Sequence, residues 1–161
     1  MKKLFLLVIG LVLTVAANAQ FEQGKYYVSG SLTGLNMSYS GSEKFNLGIE
    51  AKGGYMFADN WMALVLAGFH HSGQDGVDDS FEAGVGGRYY IIENGLYMGV
   101  NAKLVRGNSS YNDLTPGIEL GYAFFLGKNV TVEPAMYYDQ SIKNHSDYSK
   151  VGLRIGVGIY L

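Results

Sequence analysis

The sequence of 161 residues predicts an all-β fold, namely an eight-stranded antiparallel up-and-down transmembrane β-barrel. The first reason is that apolar and polar residues alternate with period two along most of the chain, which is typical of strands with two different faces. The second is composition, because glycine (23 residues) and tyrosine (13) are frequent while charged residues make up only 16%, against about 25% in an average soluble domain. The third is that tight turns alternate with longer loops, as in barrels built from successive hairpins.

Residues 1–19 have the pattern of a secretory signal peptide. Two lysines follow the initial methionine, residues 4–15 are mostly apolar, and residues 17–19 read Ala-Asn-Ala, a small-x-small cleavage pattern. The apolar run is shorter than the roughly 20 residues that a membrane-spanning helix needs. We therefore expect removal of residues 1–19, which leaves residues 20–161 as one barrel domain outside the cytoplasm.

The alternation predicts eight strands after this leader. They cover residues 25–38, 44–57, 61–71, 80–92, 95–106, 112–126, 129–140 and 147–161. The last strand shows the pattern best, with valine, leucine and isoleucine at odd positions and mostly glycine or charged residues at even ones. Segment 61–71 is apolar on both faces, so the sequence does not decide which of its residues point outward. Segment 25–38 changes phase near Gly34, which indicates a bulge or a glycine kink.

The connections between these strands are of two kinds. Tight turns that carry Asn or Gly are predicted at 58–60, 93–95 and 127–129. Longer polar loops are predicted at 38–43, 71–80, 106–112 and 139–146. One end of the barrel therefore holds the short turns and both termini. We expect this end to face the periplasm and the loops to face the cell surface.

The apolar face is predicted to meet lipid rather than a protein core. Glycine gathers on the opposite, polar face, for example at Gly84, Gly121 and Gly156, and small residues leave room for large ones inside a narrow barrel. Only Arg106, at a strand end, places a charge on the apolar face of the predicted strands. A lysine or arginine facing lipid at mid-depth costs about 2–4 kcal/mol, so this exclusion has a physical cause.

Aromatic residues on the apolar face lie near its two ends, which is typical of the two membrane–water interfaces. The predicted aromatic girdle comprises Tyr55, Phe57, Trp61, Phe69, Tyr89, Phe124 and Tyr138. Five of these lie near the turns, whereas Phe69 and Tyr138 lie near the loops. This distribution supports a transmembrane barrel.

The polar face is predicted to hold a lumen charge network inside the barrel. It comprises Glu50, Lys52, Arg88, Lys103, Glu119, Glu133 and Arg154. With Glu82, Asp139 and Lys150, the inward positions amount to five acids and five bases. Eight strands leave an interior just wide enough for side chains to fill. An ion-pair plug is therefore favoured over an ion-conducting pore.

The sequence favours no catalytic or metal site. His145, Ser146 and Asp147 could act together only if a loop changed their geometry, because neighbouring strand residues point to opposite faces. The acidic loop at 73–79 lacks the ligand spacing of a calcium-binding loop. The chain has no cysteine, and its net charge of −2 indicates no basic surface for nucleic acid. We therefore predict no enzyme activity, no cofactor and no nucleic-acid partner.

These features resemble the small eight-stranded outer-membrane barrels of the OmpA/OmpX type, the outer-membrane β-barrel or porin family. The resemblance covers the mature chain and is carried by the leader, by residues 54–61 (GYMFADNW) and by the final strand 151–161. In that family the last strand usually ends in an aromatic residue that the barrel-assembly machinery reads. This chain departs from the pattern by ending Tyr160-Leu161. The resemblance implies an outer-membrane location, a lipid surrounding and insertion by that machinery, and we expect a monomer.

Four functions follow from the sequence as alternatives. The first is a structural or interaction barrel with an ion-pair-filled lumen and short surface loops, whose surface partner the sequence does not identify. The second is a narrow porin-like channel for small solutes or ions. The third is a lipid-modifying outer-membrane enzyme, and the fourth is a soluble secreted barrel that binds a small apolar ligand.

Overall fold

The chain forms one closed antiparallel sheet in a computed structural model that describes residues 21–35, 46–72, 80–91, 95–107, 112–142 and 149–161. The strands are β1 (Tyr26–Leu35), β2 (Asn46–Ala58), β3 (Trp61–Ser72), β4 (Ser80–Ile91), β5 (Leu96–Gly107), β6 (Asn112–Tyr122), β7 (Phe124–Phe125), β8 (Val130–Asp139) and β9 (Lys150–Tyr160). Strands β1 to β6 pair in chain order, β6 and β7 both pair with β8, β8 pairs with β9, and β9 pairs with β1 to close the sheet. Within the described residues, no helix has the length and hydropathy of a membrane span.

Strands β6 and β7 are two parts of one barrel strand. Gly121 pairs with Ala135 before the break and Phe124 pairs with Val132 after it, so the register against β8 is the same on both sides. That register places Pro134 opposite the break, and proline has no backbone N–H to donate to the ladder. Counted this way, the barrel has eight strands. The predicted fold class, an eight-stranded antiparallel up-and-down barrel, is confirmed.

The first strand is irregular where the sequence changes phase. The register between β1 and β9 shifts between Thr33 and Leu35, on either side of Gly34. A glycine weakens a strand and often marks such an irregularity. The predicted kink near Gly34 is therefore present in the ladder.

The two faces of the sheet differ in burial as the alternation predicts. In β6 the exposed and buried residues alternate from Asn112 to Gly121. Strand β3, whose facing the sequence left open, exposes its odd-numbered residues from Trp61 to Phe69 and buries its even-numbered residues from Met62 to Gly68. The lumen therefore contains apolar side chains on this strand rather than charged ones.

The outer surface is a continuous apolar belt. Its valines, leucines and isoleucines reach exposures between 59% and 64%, as at Val65, Val85, Val100, Leu104 and Ile118. Soluble monomers rarely expose contiguous apolar patches larger than a few hundred Å². Such a belt is the surface that lipid covers in a transmembrane barrel.

Candidate functional site in the barrel lumen

The seven residues of the lumen charge network point into the barrel, and none is more than 5% exposed. They come from six strands around the barrel, with Glu50 and Lys52 on β2 and one residue each on β4, β5, β6, β8 and β9. Strand geometry accounts for this, because every second residue of a strand lies on the same face. Inward residues of opposite strands can then meet in the narrow interior.

Glu119 is the centre of this network, because three cations share its carboxylate. Oε2 accepts hydrogen bonds from Lys52 Nζ at 2.8 Å and from Arg154 Nη1 at 2.9 Å. Oε1 accepts from Arg88 Nη2 at 3.0 Å and from Arg88 Nε at 3.2 Å. The two Arg88 contacts converge on one carboxylate oxygen, and hydrogen bonds between ionised groups are roughly twice as strong as those between neutral ones.

The contact between Lys52 and Glu119 crosses the full width of the lumen. Lys52 lies on β2 and Glu119 lies on β6, and three barrel strands separate them on either side. Their side chains nevertheless form an ion pair of 2.8 Å. Paired side chains therefore span the lumen at this depth.

Glu133 forms a second centre on the turn side of Glu119. Its Oε2 accepts hydrogen bonds from Arg88 Nη1 at 2.9 Å and from the Tyr27 hydroxyl at 2.6 Å. Its Oε1 accepts from Thr131 Oγ1 at 2.8 Å and from the Tyr160 hydroxyl at 3.2 Å. Arg88 therefore bridges the two carboxylates.

Arg88 also interacts with a neighbouring aromatic ring. Its guanidinium carbon lies 3.8 Å from the centroid of the Tyr97 ring. Such a cation–π contact gains strength when the cation is removed from water, and Arg88 is buried. Ion pairs, hydrogen bonds and ring contact together surround the guanidinium.

Lys103 extends the network towards the loops. Its Nζ lies 2.5 Å from Asp139 Oδ2, 3.6 Å from Glu82 Oε2 and 4.0 Å from Glu50 Oε2. Glu50 in turn pairs with Arg154 at 3.2 Å. The ion pairs are thus continuous from the loop side of the lumen to its tyrosine-rich turn side.

The predicted balance of five acids and five bases is incomplete, because it omits Asp113. Asp113 is buried and accepts a hydrogen bond from the Ser141 hydroxyl. The missed signal is the spacing in β6, where Asp113 lies three inward positions before Glu119. The backbone of Lys150 pairs with Asp139, but its side chain lies outside the described part of the chain. Among the described side chains, six buried acids face four buried bases.

Glycines give the network the room it needs. A Cβ atom at Gly99, the cross-strand partner of Glu119, would lie 2.6 Å from Glu119 Cγ. At Gly158 a Cβ would lie 2.7 Å from Glu133 Oε1 and from Tyr27 Cε2. Both distances are shorter than ordinary van der Waals contact, so a larger residue would displace a carboxylate.

We expect Gly99→Ala to lower the free energy of unfolding by about 1–3 kcal/mol, because overpacking displaces Glu119 from its cations. The matched control is Gly30→Ala, since nothing lies within 4 Å of a Cβ at this outward glycine. We expect no loss there. The measurement is urea unfolding of both variants in lipid vesicles, and equal stabilities would contradict the prediction.

The residues of the predicted aromatic girdle lie on the outer surface. Six of them are between 36% and 49% exposed, and Phe124 is partly buried beside Tyr122. The Trp61 ring lies 4.7 Å from Tyr89 and 6.4 Å from Phe57, so these rings form a row at the turn end. The girdle prediction omits Tyr26, whose ring packs on Tyr55 at this same end.

The weaker candidates from the sequence lie where the structure gives no description. The His145-Ser146-Asp147 segment and the acidic loop at 73–79 are both outside the described residues. Among the residues that are described, no group of three or more His, Asp or Glu side chains is placed to hold a metal ion.

Fold and lumen together define a class of protein. A closed barrel that is apolar outside and ion-paired inside inverts the arrangement of a soluble protein and is characteristic of transmembrane barrels of the outer membrane. The family model described as "Outer membrane protein beta-barrel domain" matches residues 5–161, so the chain belongs to this family and is an outer-membrane protein. Both the family resemblance and the location predicted from the sequence are confirmed.

Solved structures of similar fold come from several bacteria. Neisserial surface protein A is 15% identical, with a TM-score of 0.60 over 85% of this chain and 99% of that one. Ail of Yersinia pestis in a phospholipid nanodisc is 16% identical, with a TM-score of 0.60 over 86% and 100%. The N-terminal barrel of OprF from Pseudomonas aeruginosa is 16% identical, with a TM-score of 0.58 over 86% and 98%. Among curated proteins, none matches this chain significantly.

Proposed function

We propose that this protein is a structural or interaction barrel of the outer membrane whose lumen is closed by the lumen charge network. The observation that carries the proposal is the 2.8 Å ion pair between Lys52 and Glu119, two residues of opposite strands. An eight-stranded barrel is just wide enough for side chains to fill. Side chains that bridge its diameter occupy the space that an aqueous path would need at their depth.

The energetics favour a network that stays closed. Glu119 is buried with Lys52, Arg88 and Arg154 around it. Opening a path for ions would separate these charges, and breaking a buried pair typically costs about 3–5 kcal/mol. Thermal fluctuation alone therefore opens the lumen rarely.

The processing of the chain and its orientation in the membrane belong to the same proposal. We propose that residues 1–19 are a signal peptide, that residues 20–161 form the barrel domain and that its turn end faces the periplasm. The mature chain is then a non-enzymatic monomer surrounded by lipid, with its loops available to a surface partner. Insertion by the barrel-assembly machinery is part of the same proposal. Leu161 exchanges two backbone hydrogen bonds with Tyr26, at 2.8 and 3.0 Å, which join the last strand to the first.

A narrow channel is the second candidate, and one observation favours it. The buried atoms Asn101 Oδ1, Asp139 Oδ1 and Arg154 Nε have no hydrogen-bond partner among the described residues. Buried polar atoms of native proteins are usually satisfied by protein or by water. These unsatisfied atoms beside the lumen charge network favour the presence of water there.

Single-channel recording in planar bilayers separates the two candidates. We expect the reconstituted wild-type barrel to give no steady current steps, because paired side chains span its lumen. A 16-stranded porin, which leaves an aqueous channel, is the control that conducts in the same bilayer. Steady, resolved steps from the wild-type barrel would overturn the closed lumen and favour the channel.

A further inference from the structure

The segment that precedes β1 lies across the turn end of the barrel. Phe21 comes before the first strand, yet it is only 3% exposed and belongs to the buried apolar cluster of the lumen. A residue that precedes the first strand of a domain is usually poorly ordered unless specific contacts hold it. The contacts of this segment therefore indicate a role for it.

The Phe21 ring fills the mouth of the barrel. It stacks on Tyr90 with ring centroids 3.9 Å apart and an interplanar angle of 17°. Tyr160 and Phe125 meet its edges, each with a centroid distance of 5.6 Å. These partners come from β4, β9 and β7, so one ring contacts strands from different sides of the barrel.

Hydrogen bonds hold the segment to β2 and to the turn that follows it. Asn60 N donates to Phe21 O at 2.8 Å, and Asp59 Oδ1 accepts from Gln23 N at 2.9 Å. Gly24 N donates to Met56 O at 2.8 Å. Asn60 has a φ of 66°, a left-handed conformation that asparagine adopts more readily than most residues. The turn thus presents both a backbone donor and a side-chain acceptor to the segment.

Further into the lumen than Phe21, the apolar rings are followed first by tyrosine hydroxyls and then by charged side chains. The Tyr90 hydroxyl is 2.8 Å from the Tyr160 hydroxyl, and Arg88 Nη1 donates to the Tyr90 hydroxyl at 3.2 Å. Arg88 in turn contacts Glu133 and Glu119. Phe21 therefore lies between the turn-side mouth and the tyrosine layer that contacts the lumen charge network.

We propose that residues 21–24 are a strap that closes the turn-side mouth, with Phe21 as its stopper, and that this mouth opens by release of the strap while the strands stay paired. This inference rests on the proposed closed lumen and adds a second barrier to it. The strap is held by a few hydrogen bonds and by the packing of one ring, whereas the strands are held by full ladders. Segments of this kind open locally at lower free energy than the strands they cover.

Thiol labelling tests the strap, because the sequence contains no cysteine. Ala123→Cys places a reporter in the buried cluster that contains Phe21, at a residue that is 2% exposed. With the strap in place, a small maleimide should label this cysteine slowly in the folded, reconstituted barrel. Adding Phe21→Ala should raise the labelling rate about a hundredfold, since loss of a buried phenylalanine side chain favours local opening to that degree.

Two further variants separate the strap from a general loosening of the barrel. Phe57→Ala removes an outward ring at the same end and should leave the labelling rate of the reporter unchanged. Asp59→Ala removes only the side-chain acceptor for Gln23 N, and should raise the rate about tenfold. Asp59 is exposed outside the lumen, so this variant should retain the barrel fold even where Phe21→Ala does not.

The outcomes distinguish the strap from the closed lumen. If Phe21→Ala and Asp59→Ala both form folded, heat-modifiable barrels and the reporter is labelled no faster than in wild type, the strap is overturned. We expect the reporter in Phe21→Ala to be labelled fast. We also expect this variant to show no current steps, because the lumen charge network still blocks ions. Steady current from wild type would overturn the closed lumen and, with it, the strap as a second barrier, whereas unchanged labelling with an electrically silent wild type would overturn the strap alone.

Discussion

Replacing Glu119 with alanine is expected to destabilise the barrel by about 3–5 kcal/mol, the range found when one partner of a buried charge group is removed. Glu119 is the shared acceptor for Lys52, Arg88 and Arg154, so the truncation leaves three buried cations without their common anion. Water that enters the cavity would reduce the penalty. Because the three cations come from β2, β4 and β9, the loss would weaken contacts across the whole lumen.

Urea unfolding of the reconstituted barrel measures this effect. Glu22→Ala is the matched control, because it removes a carboxylate from an exposed residue and should change the unfolding free energy by less than about 0.5 kcal/mol. Glu119→Gln should fall between wild type and Glu119→Ala, since the amide oxygen still accepts a hydrogen bond. If Glu119→Ala were as stable as Glu22→Ala, the network would contribute nothing to the closed barrel.

Leu120→Arg, one residue further along β6, should make folding into bilayers less favourable by about 2–4 kcal/mol, for a different reason. Leu120 is 51% exposed on the outer surface and pairs with Met98 and Met136, within the apolar belt. An arginine at this position would face hydrocarbon instead of carboxylates. The penalty is one of desolvation and not of lost pairing.

The matched control for Leu120→Arg is the same change at the edge of the belt. Leu126 is 72% exposed and lies beside the turn, where its N–H donates to Val130 O. Near a membrane interface an outward arginine costs only about 0–1 kcal/mol. Folding yields into vesicles should therefore fall for Leu120→Arg and stay near wild type for Leu126→Arg. Equal yields would show that this face does not meet lipid.

Much of the fold follows from the sequence because its main signal is local. Period-two alternation needs only neighbouring residues, and it predicted the strands and the facing of most of them. Glycine on the polar face, at positions such as Gly99 and Gly121, indicated that this face lines a narrow interior. A closed barrel also leaves little freedom in topology, since each strand pairs with the next and the last closes on the first.

Which residues of β3 point into the barrel could be decided only from its pairing with the neighbouring strands, because the local hydropathy pattern is ambiguous there. Met62, Leu64 and Leu66 are as apolar as their outward neighbours, so hydropathy alone does not divide the strand. The register fixes the division, since Met62 pairs with Met56 on one side and with the inward Arg88 on the other. Asp113 was missed for a related reason, because its predicted strand end merged with a polar loop.

The sequence by itself determined the faces of most strands, the count of strands and most of the charges that line the lumen, with Asp113 as the exception. Only the tertiary structure decided which of those charges meet, because partners such as Lys52 and Glu119 are brought together by the closure and stagger of the barrel and not by spacing along the chain. The place of Phe21 was likewise a tertiary outcome. It precedes the first strand and carries no periodicity, and its burial depends on Tyr90, Phe125 and Tyr160 converging at one end of the closed sheet.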